Sequence, residues 1–378
     1  MRVGIITQSY YPIAGGVTEH VYYQARHLQE MGHQPTIITS RFLRTNNYNH
    51  DGDLDVVRIG WNVPIPVPFN GSFNCANVGF QIGRRLQQIC RKKKFDLVHI
   101  HSPLDPILPL MAVHHIELPK VGTFHSYSNS ALFFDFGRKP INEMAQRLAG
   151  RIAVSEAAKE FHCGYFPGDY SIIPNGVDTG RFSENVKPLE RFDDDFFNIL
   201  FVGRMAPRKG LKNLLRALPP VLAKYPKTRL IIVGDGILRG YYRLFYPSWI
   251  SDRVFFEGYI PRNQLARYYA SADLYCSPAT GGESFGVVLL EAMASGLPIV
   301  ASAIRGYSEV VTNEQEALLV PPGDPLVISH AIIRLMEDKK LRDKLSYNGL
   351  VKAKGYSWKI IVRRLVDFYG EVLEKIKK

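Results

Sequence analysis

Gly282-Glu283-Ser284-Phe285-Gly286-Val287-Val288-Leu289-Leu290-Glu291-Ala292-Met293-Ala294-Ser295-Gly296 puts two carboxylates eight residues apart across a glycine-introduced helix start. Small and straight-chain residues dominate from Ser284 to Ala294. Gly282 permits an unusual entry turn and Gly296-Leu297-Pro298 ends the run, so the pattern predicts a short helix over 284–294. Its first N–H groups, near Ser284, Phe285 and Gly286, have no intrahelical partner and carry the positive end of the dipole, which suits a phosphate. On one continuous helix, Glu283 and Glu291 are about 12 Å apart along the axis and within about 80° of one face. One carboxylate can then hold sugar hydroxyls beside the phosphate while the other holds a ribose diol. Read alone, the same spacing also describes a solvated helix with Phe285, Val288, Leu289 and Met293 in the core.

Strand-like runs surround this segment: Asn198 to Gly203, Arg229 to Gly234, Val254 to Phe256, Leu274 to Cys276 and Ile299 to Ala301. An earlier set comprises Val3 to Ile6, Thr36 to Ile38, Leu97 to Ile100, Val121 to Phe124 and Arg151 to Val154, with helical patterns near Thr18 to Met31 and Gly79 to Lys94. Strands alternating with helices imply right-handed βαβ units and parallel sheets covered on both faces. Ile172 to Asp178 closes the first set, and a polar connector around Ser183 to Asp195 separates the two. The expected architecture is α/β: two Rossmann-like parallel-sheet domains facing a central cleft, with ligands beyond the carboxyl ends of the strands. The first domain is expected over 1–185, completed by a C-terminal helix over 358–378, and the second over 186–357.

Composition fits this picture. The chain has 378 residues, 46% hydrophobic and 22% charged, as in a soluble globular enzyme of two domains. No apolar run approaches the ~18 residues of a membrane span. Met1 to Thr7 passes straight into a strand-like run, so no signal peptide is expected and the expected place of action is the cytoplasm. Cys75, Cys90, Cys163 and Cys276 are scattered without zinc or disulfide spacing. The formal net charge of +12 suits phosphate-rich ligands, anionic lipid and nucleic acid alike, but no nucleic-acid-binding signature accompanies it.

Gly203-Arg204-Met205-Ala206-Pro207-Arg208-Lys209-Gly210 sets cations just past a strand end, where Arg204 and Lys209 can neutralise a diphosphate and the charge that grows on it as it leaves. Arg208 reads as surface charge. Ala14-Gly15-Gly16-Val17 is a glycine turn that allows close approach of backbone to phosphate, without the G-x-G-x-x-G dinucleotide fingerprint. Thr123-Phe124-His125-Ser126 places a histidine immediately beyond a strand, and His99 and His101 lie in Val98-His99-Ile100-His101, with His101 read as cleft-lining.

Together these segments resemble family 4 retaining glycosyltransferases of the GT-B fold. The 283–291 stretch, with Cys276-Ser277-Pro278 before it and Pro298 to Ser302 after it, is similar to that family's E-x7-E donor-site signature, and Gly203 to Gly210 to its diphosphate clamp. The resemblance implies donor contacts from Gly16, Arg204, Lys209, Glu283, Ser284, Phe285, Gly286 and Glu291, and a catalytic set of His125, Arg204, Lys209 and Glu283, with His125 touching the transferred sugar. It implies no cofactor and no metal, since cations and backbone donors do the work of a divalent ion. It also implies front-face attack assisted by the leaving phosphate.

Within that family the chain is most similar to the phosphatidylinositol mannosyltransferase branch. Val63-Pro64-Ile65-Pro66-Val67-Pro68-Phe69-Asn70-Gly71-Ser72 resembles that branch's acceptor loop, which assigns Asn70, Ser72 and Tyr10 to the acceptor. Val67-Pro68 is inserted, and Cys75 stands where the branch has arginine. Arg84, Arg85, Arg91, Lys92, Lys93 and Lys94 oppose Ile82, Leu86, Ile89 and Cys90 on an amphipathic helix suited to an anionic membrane surface. The expected activity is transfer of a hexose, mannose from GDP-mannose first, to an inositol-containing or other membrane lipid at the inner face of the cell membrane. Three alternatives stay open: a UDP-glucose or UDP-N-acetylglucosamine enzyme acting on a diacylglycerol lipid or soluble acceptor, a sugar-nucleotide epimerase, and a non-catalytic membrane- or nucleic-acid-binding protein.

Overall fold

The computed structural model describes residues 1–13, 15–42, 51–67, 72–105, 107–127 and 132–377, without the side chains of 64–67, 72–76 and 132–138. The chain forms two compact units. The first comprises Met1–Pro66, Phe73–Asn175 and Trp358–Lys378, and the second Val67–Ser72 and Gly176–Ser357.

In the first unit, strands β1 (Arg2–Ile6), β2 (Gln34–Phe42), β3 (Asp55–Val67), β4 (Ser72–Val78), β5 (Leu97–His101), β6 (Lys120–Phe124), β7 (Gly150–Ala153) and β8 (Ser171–Ile172) form one sheet in the order β4-β3-β2-β1-β5-β6-β7-β8. From β3 through β2, β1, β5, β6 and β7 to β8 every neighbouring pair is parallel. Strands buried on both faces must be apolar throughout, and Val3, Ile5, Leu97, Val121 and Ile152 accordingly join one core. Trp358, Ile361, Leu365 and Tyr369 from the C-terminal helix Trp358–Lys377 complete that core. The order of the chain reverses between β1 and β5, so the segments after β1, β5 and β6 emerge around the switch point where such sheets bind ligands.

The second unit repeats the plan with β9 (Phe197–Val202), β10 (Thr228–Val233), β11 (Val254–Gly258), β12 (Leu274–Ser277), β13 (Ile299–Ser302) and β14 (Ala317–Val320), ordered β11-β10-β9-β12-β13-β14 and parallel throughout. Its switch point lies between β9 and β12. The two-domain parallel α/β expectation therefore holds, and every strand-like run named above falls on a strand, with Gly203, Gly234 and Val154 one residue past the ends of theirs.

Two local expectations are corrected. The helix after β12 is Val287–Ala294 and not 284–294. Gly282 (φ 68°) and Gly286 (φ 91°) are left-handed, which a right-handed helix cannot pass through, and a Cβ on Gly286 would lie 2.7 Å from the Tyr307 ring. Glu283, Ser284 and Phe285 thus belong to the loop, and the helical separation calculated for Glu283 and Glu291 does not apply. Val63 to Val67 end β3 and Ser72 opens β4, so most of the expected acceptor loop is strand. Asn70 lies outside the described residues, as does the Ser72 side chain.

Candidate active site

In the second unit, the loops after β9 and β12 are locked together. Pro207–Lys209 forms one 3-10 turn ended by Gly210 at φ 71°. A Cβ on Gly210 would lie 1.8 Å from the Pro278 carbonyl oxygen, so only glycine allows that approach. The Thr280 amide donates to the Arg208 carbonyl at 2.8 Å.

This contact brings Glu283 against two cations. Lys209 Nζ lies 2.9 Å from Glu283 Oε1, and Arg208 Nη1 pairs with the same oxygen while donating to the Gly282 carbonyl at 3.0 Å. Arg208, read as surface charge, keeps 42% of its side chain exposed but is tied to the Glu283 carboxylate. Glu283 is buried, with its backbone carbonyl pressed on Gly306: a Cβ there would sit 2.0 Å from that oxygen. The Arg204 side chain is exposed and makes no hydrogen bond or ion pair among the described residues. Two cations sharing one carboxylate leave net local positive charge, which favours a multiply charged anion.

Glu291 stands on the helix Val287–Ala294, where Tyr269 Oη donates to its Oε2 at 2.7 Å. Tyr269 is fully buried, edge-on to Phe182 at 5.3 Å, and burial with the Glu291 charge raises its hydroxyl well above the ordinary phenol range. The proton stays on Tyr269, and Glu291 is held as an acceptor. Ser284 is half-buried and Phe285 buried, with the Phe285 ring 6.0 Å from Tyr356. The first amides of the helix, at Val287 and Val288, replace those of 284–286 as the helical donors.

In the first unit, Gly16 opens the helix Gly16–Glu30 and is exposed. A Cβ on Gly15 or Gly16 would meet nothing within 4 Å, so packing does not demand glycine there. His125, just past β6, joins a histidine cluster that the sequence did not reveal: its ring stacks on His101 at 5.1 Å and meets His20 edge-on at 5.0 Å, while His99 stacks on His101 at 4.5 Å. His20 is pushed down to about 4 by burial, partly offset by its hydrogen bond to Asn175. Burial and mutual repulsion hold His99, His101 and His125 well below the usual imidazole range. Tyr10 is fully buried in the core of the same unit and offers no ring surface to an acceptor.

The helix near Gly79 to Lys94 spans Ile82–Lys93 and buries Ile82, Gly83, Leu86 and Cys90. Arg84, Arg85, Arg91, Lys92 and Lys94 are exposed; Lys93 is partly covered and pairs with Asp55 at 2.5 Å. Phe80 and Val78, just before the helix, expose 78% and 53% of their surface, an apolar pair beside the cationic face. Among the described residues, no helix is long and apolar enough to cross a membrane.

Residues 14–181 match the model of Glycosyltransferase Family 4 and residues 183–351 that of Glycosyl transferases group 1. The phosphatidyl-myo-inositol mannosyltransferase of Mycolicibacterium smegmatis is 31% identical over 378 residues, covering 98% of this chain and 94% of the relative. The chain is a family 4 glycosyltransferase. Among this enzyme's relatives is also the alpha-monoglucosyldiacylglycerol synthase of Acholeplasma laidlawii, 26% identical over 100% of this chain and 99% of that one. A crystal structure of a glycosyltransferase from Rickettsia africae superposes with a TM-score of 0.78 at 20% identity, covering 98% of both chains, which fixes the fold of this family 4 glycosyltransferase as GT-B.

Proposed function

We propose that this glycosyltransferase moves mannose from GDP-mannose, with retention, to an inositol-bearing membrane lipid. The observation that carries the donor half is the Glu283 carboxylate shared by Lys209 and Arg208 at the switch point, with Arg204 exposed on the same loop after β9. Arg204 and Lys209 stabilise the departing diphosphate, with Arg208 added to the set; amides at the start of the helix after Gly286 donate to phosphate oxygens. Glu283 accepts from sugar hydroxyls, Glu291 from the ribose diol, and His125 contacts the transferred sugar. Gly16 lets backbone approach a phosphate. The bond from the anomeric carbon to the phosphate oxygen breaks as the acceptor oxygen bonds on the same face, and the acceptor proton passes to the leaving diphosphate. No cofactor or metal enters this scheme.

The lipid half rests on two full-length relatives, a phosphatidyl-myo-inositol mannosyltransferase and an alpha-monoglucosyldiacylglycerol synthase, and on the basic helix with Phe80 just before it. Asn70 and Ser72 remain the residues assigned to the headgroup, and the helix Ile82–Lys93 would hold the enzyme at an anionic leaflet facing the cytoplasm. Release of nucleoside diphosphate from GDP-mannose, UDP-glucose and UDP-N-acetylglucosamine, with and without phosphatidylinositol vesicles, tests the choice. Turnover of a UDP-sugar alone rejects mannose; an interconverted sugar nucleotide without free diphosphate indicates an epimerase.

A further inference from the structure

His20, His99, His101, His125 and His162 lie near one another in the first unit, and two of them, His99 and His101, hydrogen-bond Gln24, whose donors and acceptor order the protons of a buried chain. Gln24 Nε2 can only donate. It does so to Tyr369 Oη at 2.8 Å and to His99 Nδ1 at 2.9 Å, and Tyr369 Oη in turn donates to His99 Nδ1 at 2.5 Å. His99 therefore carries its proton on Nε2, which donates to Thr123 Oγ1 at 2.7 Å. Gln24 Oε1 can only accept, and it lies 2.7 Å from His101 Nε2. His101 is thus also protonated on Nε2, leaving Nδ1 a lone pair. That lone pair faces His125 Nε2 at 2.8 Å, so His125 must donate from Nε2. Its Nδ1 is left unprotonated, and makes no hydrogen bond among the described residues.

We propose that His101 and Gln24 are positioning residues that fix His125 in its Nε2–H tautomer, so that Nδ1 presents a lone pair to a hydroxyl of the transferred sugar. This rests on the reading of His125 as a sugar contact and gives that residue a direction: it accepts a hydrogen bond and does not donate one. The chain of contacts begins at Tyr369, which assigns the C-terminal helix Trp358–Lys377 a part in setting the site as well as closing the core. Other uses of the cluster fit less well. Among the described residues no group of three histidine, cysteine or carboxylate side chains is arranged to hold a metal, and the ring nitrogens facing one another are spent on hydrogen bonds within the chain.

Two-bond nitrogen–proton correlation spectra of the full-length chain labelled with 15N-histidine read the tautomer directly at pH 7, without substrate. The expected result is His125 and His101 both protonated on Nε2 alone; His125 protonated on Nδ1, or averaged between the two nitrogens, overturns the proposal. His101→Leu removes the acceptor, while His101→Asn keeps an oxygen near the position of Nδ1. For the leucine variant kcat should fall about tenfold, the worth of one hydrogen bond, with KM for the sugar nucleotide little changed and the His125 tautomer averaged. The asparagine variant should recover most of both. A leucine variant unchanged in tautomer and kcat also overturns it, and should that variant fail to fold, the wild-type spectrum still decides. Titrating in GDP-mannose, and UDP-glucose in parallel, should move the His125 Nδ1 resonance for whichever donor is turned over; turnover with that resonance unmoved is a third contrary result. Rejection of GDP-mannose in favour of UDP-glucose sinks the donor choice alone and leaves the tautomer intact.

Discussion

Lys209 Nζ lies 2.9 Å from Glu283 Oε1, an oxygen that also takes the Arg208 guanidinium. The carboxylate does two opposed things in the proposed reaction. It accepts from sugar hydroxyls, and it offsets part of the positive charge that binds diphosphate. Glu283→Gln should therefore lower turnover by about 100-fold or more while GDP binds as tightly as before or a few-fold more tightly. Product release and calorimetry measure the two separately. Parallel loss of GDP affinity and turnover would mean that Glu283 chiefly holds the loop.

Tyr269 aims Glu291 through a 2.7 Å hydrogen bond. Removing the hydroxyl in Tyr269→Phe should weaken nucleoside diphosphate binding about five-fold, the effect of roughly 1 kcal/mol. If Glu291 holds the ribose diol, a 2′-deoxynucleotide should bind less well than its ribose counterpart to the wild type, and the difference should vanish in Glu291→Ala. Undiminished discrimination in that variant would remove Glu291 from the ribose.

Acid should unfold the histidine cluster. His20 and His162 are both pushed down to about 4 chiefly by burial, so between pH 4 and 6.5 the unfolded chain binds more protons than the folded one. Stability is present above pH 6.5 and is lost as pH falls toward 4. Each of the two should contribute about 2 kcal/mol of loss between pH 7 and pH 5. Urea denaturation at the two pH values measures it, and replacing His162 by Phe should flatten the dependence. A midpoint unchanged by acid would show that the cluster accommodates charge.

Attachment to anionic lipid should depend on the exposed face of the helix Ile82–Lys93. Reversing Arg84 and Arg85 to Glu should weaken binding to phosphatidylserine vesicles by at least about tenfold, and salt at about 0.5 M should release the wild type. Lys93→Glu should matter less, because Lys93 already pairs with Asp55. Sedimentation with vesicles reads all three, and equal effects from Lys93 and Arg84 would contradict a membrane-facing cationic surface.

The parallel strands were readable because strands covered on both faces must be nearly continuous apolar runs, as in Ile199 to Val202 and Leu230 to Val233. β3 escaped notice because Pro64 and Pro66 break its pattern, and the same stretch read as a loop. Periodicity starts the helix at Ser284 because it does not report the sign of φ, and the left-handed Gly286 delays the start to Val287. Of two adjacent cations, sequence could not tell that Arg208 joins Lys209 on the Glu283 carboxylate. Gln24 and His20 fall within the helical pattern near Thr18 to Met31 without a signal of their own; their roles depend on Tyr369 and Asn175, 345 and 155 positions away, which no local pattern connects.

Product analysis with GDP-mannose and phosphatidylinositol vesicles, comparing the wild type with Lys209→Met, tests the proposed transfer most directly. The wild type should yield free GDP and a mannosylated lipid in equal amounts, with the anomeric configuration of the donor kept. Lys209→Met should yield both about 100-fold more slowly. A wild type that forms neither product from GDP-mannose, or a Lys209→Met variant as fast as the wild type, would contradict it.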